Sequence, residues 1–105
     1  KYYGSDIISD EQIAYEWARI PHFYYNFYVY QYATGYSAAI ALSQRILKEN
    51  GKDDYINFLK GGSSKYSIDL LKGAGVDMTT AEPVEKAMEV FANLLDEMEN
   101  LLTEE

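Results

Sequence analysis

The sequence has 105 residues and a mass of 12.0 kDa, which allows one small domain or part of a larger one. Nine Lys and Arg against 17 Asp and Glu give a net charge of −8, which argues against a phosphate-binding surface and so against nucleic acid as a partner. Without cysteine there is no disulfide framework, thiolate metal site or cysteine nucleophile, and a single histidine, His22, excludes a multi-imidazole zinc site built within these residues. A hydrophobic fraction of 48% is enough for a core, and eleven tyrosines are the oddity of the composition.

In chain order, Lys1-Tyr2-Tyr3-Gly4 is the only stretch with the character of an extended stub. Ser9-Asp10-Glu11-Gln12 has the form of a capping box and opens a helix through Ile13, Ala14, Trp17 and Ala18. That helix must end before Pro21, which disfavours helical geometry at Ile20. A second, long helix is expected from about Phe23 to Lys48, roughly 39 Å at 1.5 Å per residue. Asn50-Gly51 is expected to close it, with the glycine left-handed. Asp53 or Asp54 can cap a short helix ending at Gly61-Gly62, and Ser63 or Ser64 another ending at Gly73-Ala74-Gly75. Thr79 or Thr80, with Pro83 in the first turn, starts a last helix reaching about Leu102. Its apolar residues, Val84 to Leu102, recur at three-and-four spacing. The expected class is all-α, with about five helices and one long tyrosine-rich central helix.

From Ile20 to Gln44 no Asp, Glu, Lys or Arg occurs, a run long enough to cross a bilayer. The same run carries His22, Asn26, Gln31, several hydroxyls and six tyrosines, more polar matter than hydrocarbon tolerates. It is read as the buried central helix of a soluble protein, with no membrane partner. On such a helix Phe23, Phe27, Tyr30 and Thr34 share one side, and Tyr24, Tyr28, Tyr32 and Tyr36 form a second row. A row of phenols can line a partly wet cleft and hold peptide amides, although a stripe of this kind is more commonly ordinary core packing. Residues 82–105 carry eight acids and only Lys86, most simply the solvated face of a terminal helix.

A helix of that length, apolar nearly all round, needs more cover than four short helices supply. With no initiating methionine at Lys1, the chain is expected to be part of something larger. No leader peptide is visible, and a cytoplasmic location is expected.

The run Trp17-Ala18-Arg19-Ile20-Pro21-His22-Phe23-Tyr24, continued by Tyr28-Val29-Tyr30-Gln31-Tyr32-Ala33-Thr34-Gly35, resembles the C-terminal signature of oligoendopeptidase F. This is the bacterial branch of the thimet-oligopeptidase-like zinc peptidases. Ile68 to Met78 and the Pro83-containing helix are similar to the rest of that C-terminus. The resemblance implies that residues 1–105 are the C-terminal helical portion of a zinc metallopeptidase catalytic domain. The zinc, the His-Glu-x-x-His helix and its glutamate base would then lie upstream, and no such motif occurs here. It further implies an oligopeptide substrate, with the upstream part of the same domain as partner. By the same resemblance His22 would hydrogen-bond the substrate backbone and Tyr30 would steady the oxyanion, with Tyr24, Tyr25, Tyr28 and Tyr32 as further substrate-binding phenols. Distant relatives carry two tyrosines three apart where this chain has Phe27, so one hydroxyl is lost or supplied by a neighbour. On its own the chain is expected to be inactive. A non-catalytic peptide-binding module, or an oligomerising one that self-associates through its last helix, is the alternative.

Overall fold

A computed structural model describes residues 4–103, so the expected stub Lys1-Tyr2-Tyr3-Gly4 lies outside the described residues except for Gly4. Among these the architecture is all-helical: two 3-10 helices, η1 (Glu11–Arg19) and η2 (Pro21–Tyr24), then four α-helices, α1 (Tyr30–Lys48), α2 (Lys52–Gly61), α3 (Ser67–Gly73) and α4 (Glu82–Thr103). The chain divides into two compact units, Lys1–Gln31 and Tyr32–Glu105. No helix among the described residues is long and apolar enough to cross a membrane.

In the first unit Asp10, not Ser9, caps η1: its Oδ1 accepts from the N–H groups of Gln12 and Ile13 at 2.8 and 3.1 Å. A carboxylate suits the positive end of a helix better than a hydroxyl. Ile20 is extended, at φ −91° and ψ 108°, as the following proline requires. Pro21 then opens η2, where its missing N–H costs nothing.

The long helix begins later than the sequence implies. Residues 25–29 form a bend and turn, and Phe27 stands in the left-handed region at φ 57°. That conformation cannot belong to a right-handed helix, and the flanking aromatic and β-branched side chains lose rotamer freedom in one. The tyrosine helix is therefore α1, which keeps Tyr30, Tyr32 and Tyr36 but leaves Tyr24 and Tyr28 outside. Nor is the tyrosine segment buried. Burial in α1 starts at Ser37 and includes Ala38, Ala41 and Leu42.

The core of the second unit is built from Ala38, Ala41, Leu42, Ala74 and Val76, with Tyr55, Phe58, Leu71 and Met78 packed against it. Small residues on α1 let its neighbours approach closely. Asn50, at φ 57°, is the left-handed residue that ends α1. Gly51 serves a different purpose: a Cβ there would lie 3.0 Å from the Cβ of Arg45, and its N–H donates to the Arg45 carbonyl at 3.0 Å. Gly51 also heads α2, which has no side-chain cap; Asp53 and Asp54 sit in its first turn, favourably placed against the helix dipole. Likewise Tyr66 rather than a serine precedes α3.

The end of α3 is a Schellman motif. Val76 N–H donates to Leu71 O at 2.9 Å and Gly75 N–H to Lys72 O at 3.0 Å, with Gly75 at φ 81°. The last helix, α4, starts at Glu82 rather than at Thr79 or Thr80, and Asp77 organises the turn that precedes it. Its Oδ1 accepts from the Thr79 N–H at 3.0 Å and the Thr79 hydroxyl at 2.6 Å, and Lys72 pairs with it at 2.8 Å. These bonds, the one from Lys72 foremost, hold the Asp77 carboxyl down at about 2. Pro83 and Ala87 of α4 are buried, whereas Phe91, Leu94, Met98 and Leu101 are exposed.

Candidate functional site

The chemistry-bearing residues of the first unit come together through two short turns. His22, on η2, is half-buried. The Tyr28 ring lies 5.6 Å from the His22 ring, tilted by 33°. Tyr25 meets Tyr28 edge-on at 5.9 Å, an arrangement favoured by the aromatic quadrupoles. The backbone reversal that returns Tyr28 towards His22 contains the left-handed Phe27. It is held by the Gln31 side chain, whose Nε2 donates to the Phe27 carbonyl at 2.9 Å, and by the Gln31 N–H, which donates to Tyr28 O at 3.1 Å. Positive φ at a bulky non-glycine residue stores strain, and such strain clusters at functional sites.

The other candidates are distributed differently. Tyr30 is the first residue of α1 and more than half exposed; Tyr32 stands one half-turn on, equally exposed, within the second unit. Tyr24 turns to η1. Its hydroxyl donates to the Ala18 carbonyl at 2.6 Å and its ring stacks on Trp17 at 6.5 Å. Sequence reasoning gave no sign of this bond, because its acceptor is a backbone carbonyl and carries no side-chain signature. The positive φ of Phe27 was equally hidden, since neither glycine nor asparagine marks it.

A concave feature lies wholly in the second unit. It is an apolar groove of about 420 Å³ lined by Gly35, Ala38, Ala39, Leu42, Phe58 and Leu71, among others. The groove offers shape and apolar surface but few groups able to do chemistry. Among the described residues, no cluster of three or more His, Cys, Asp or Glu could hold a metal ion.

The chain belongs to peptidase family M3, whose sequence pattern matches residues 1–90. It is 65% identical to oligopeptidase PepF of Bacillus subtilis (strain 168), over 97% of this chain and 16% of that protein. It is 51% identical to the group B oligopeptidase PepB of Streptococcus agalactiae, over 97% of this chain and 17% of that protein. Against the plasmid-borne oligoendopeptidase F of Lactococcus lactis subsp. cremoris the identity is 46%, over 97% and 17%. The chain thus spans about a sixth of the length of the curated relatives it matches. No solved structure matches it with significance.

Proposed function

We propose that residues 1–105 form the C-terminal helical part of the catalytic domain of an oligopeptide-hydrolysing zinc metallopeptidase, and line one wall of its substrate channel. The observation that carries this reading is the run of exposed phenols, Tyr25, Tyr28, Tyr30, Tyr32 and Tyr36, that follows the half-buried His22 in a chain of a peptidase family. In this reading the zinc ligands and the base belong to other parts of the full-length protein, which acts in the cytoplasm. The present residues bind and orient the peptide.

The chemistry suits the groups. Attack on a peptide carbonyl moves negative charge onto its oxygen, and a fixed phenol O–H is a preorganised donor for that charge. Tyr30 takes this part. Its place at the first residue of α1 sets its backbone. His22 donates to a neighbouring substrate carbonyl, through an imidazole whose ring is packed by Tyr28. Tyr25, Tyr28 and Tyr32 offer hydroxyls to the remaining peptide amides. The exposed apolar face of α4 is covered, on this account, by the rest of the same polypeptide, of which the present chain is about a sixth by length of its relatives.

The test uses the full-length protein and a quenched-fluorescent oligopeptide. Cleavage that a chelator abolishes and zinc restores supports the proposal, provided His22→Ala lowers kcat/KM. Binding of the peptide without hydrolysis, or self-association through α4 with no peptide bound, would instead leave a recognition or assembly module.

A further inference from the structure

We infer that Tyr24 is a positioning residue for His22, a latch that ties η2 to η1, rather than a contact for substrate. This rests on the proposed role of His22. The phenol proton is already engaged inside the chain, donated to the Ala18 carbonyl at 2.6 Å. That carbonyl belongs to the last turn of η1, where carbonyl groups lack helical partners. The ring adds a stacked contact with Trp17, at 6.5 Å and 29° between planes. Both contacts reach across the Ile20–Pro21 corner, from the end of η2 to the end of η1.

Neither 3-10 helix buries a side chain, so no local core fixes the angle between them. Their backbone links at the junction are the Ile20 N–H to Trp17 O at 3.0 Å and the Phe23 N–H to Ile20 O at 3.2 Å. Four-residue 3-10 helices are weak elements, with poor hydrogen-bond geometry and eclipsed side chains. His22 sits within this one, two residues before the latch. Tyr28 packs its ring from the other side of the turn. The phenol bond of Tyr24 and the ring contact of Tyr28 both bear on where the imidazole sits. Loosening the latch lets η2 swing, and a donor misplaced by about 1 Å loses much of its effect on a reacting carbonyl.

The experiment is a two-by-two comparison in the full-length peptidase: wild type, Tyr24→Phe, His22→Ala and the double variant, with hydrogen exchange over residues 18–25. Tyr24→Phe keeps the ring and its stacking and removes only the hydroxyl. The expected result is faster exchange at Ile20 and Phe23, a loss of about 3–10-fold in kcat/KM, and no further loss when Tyr24→Phe is added to His22→Ala. Unchanged exchange and rate would overturn the latch. So would losses that multiply in the double variant, since Tyr24 would then contact substrate independently. If His22→Ala is fully active while Tyr24→Phe still speeds exchange, the proposed role of His22 fails and the positioning role falls with it, although the tie between η1 and η2 stands.

Discussion

Arg45 and Gly75 share one space: a Cβ built on Gly75 would run into the guanidinium of Arg45. That guanidinium bonds Glu49 at 2.9 Å and Asp54 at 3.3 Å, so it links the end of α1 to the first turn of α2 while lying over the turn that ends α3. Its Nε is buried without a partner, a desolvation cost that its two ion pairs must offset. Three helix ends meet on this one side chain.

Gly75→Ala should therefore destabilise the chain for two separable reasons. The left-handed φ of 81° alone costs about 1–2 kcal/mol for a residue with a Cβ. Displacing Arg45 adds the loss of its ion pairs. Melting temperatures of Gly75→Ala in the wild-type and Arg45→Ala backgrounds should differ, with the smaller penalty where the guanidinium is gone. Equal penalties would leave only the backbone contribution.

Removing one hydroxyl at Tyr30 should slow catalysis without unfolding anything. In the full-length enzyme Tyr30→Phe is expected to cut kcat by roughly 10²–10³, about 2.7–4 kcal/mol of transition-state stabilisation, with KM little changed. The residue is exposed and heads α1, so circular dichroism should not alter. An unchanged kcat would move the oxyanion role to another phenol.

The turn between α3 and α4 should be sensitive to acid. The Asp77 carboxyl, ordinarily at 3.8, is held at about 2 by Lys72 and Thr79. The ionised form is the one bound in the folded chain, so its contribution is complete above pH 3.8 and is lost as pH falls towards 2. Lys72 is raised by the same pairing, and its share is lost only as pH climbs through that raised value above 10.5. Between pH 5 and 2 the melting temperature of Asp77→Asn should start lower and fall less steeply than that of wild type. Parallel acid slopes would remove Asp77 from the account.

Leu42→Ala should cost about 2–5 kcal/mol, since Leu42 is among the few large side chains buried in the second unit. The adjoining groove lets the site relax, so the lower half of that range is expected. Chemical denaturation followed by tryptophan-independent circular dichroism reads it. A loss under 1 kcal/mol would mean that the groove walls close over the gap.

Much of the local architecture was legible in the residues themselves. Pro21 forces Ile20 out of helical geometry, and Gly61-Gly62 and Gly73-Ala74-Gly75 end their helices, because each effect is steric and acts within a few residues. The amphipathic spacing of α4 and the all-helical class follow in the same way. The run around Pro21-His22 and Tyr28 to Gly35 carries the family, and residues 1–90 match it.

What the tertiary structure alone decided is where the aromatic residues go. Period and composition place Tyr24 and Tyr28 in one helical row, yet a left-handed Phe27 breaks the row, brings Tyr28 to His22 and leaves Tyr24 bonded to the Ala18 carbonyl. The cap of η1 shifted likewise, from Ser9 to Asp10, where neighbouring polar side chains compete for the same orphan N–H groups. A helical period describes one element at a time. The choice between a phenol in a row and a phenol across a corner depends on a backbone acceptor that becomes available only when two elements meet.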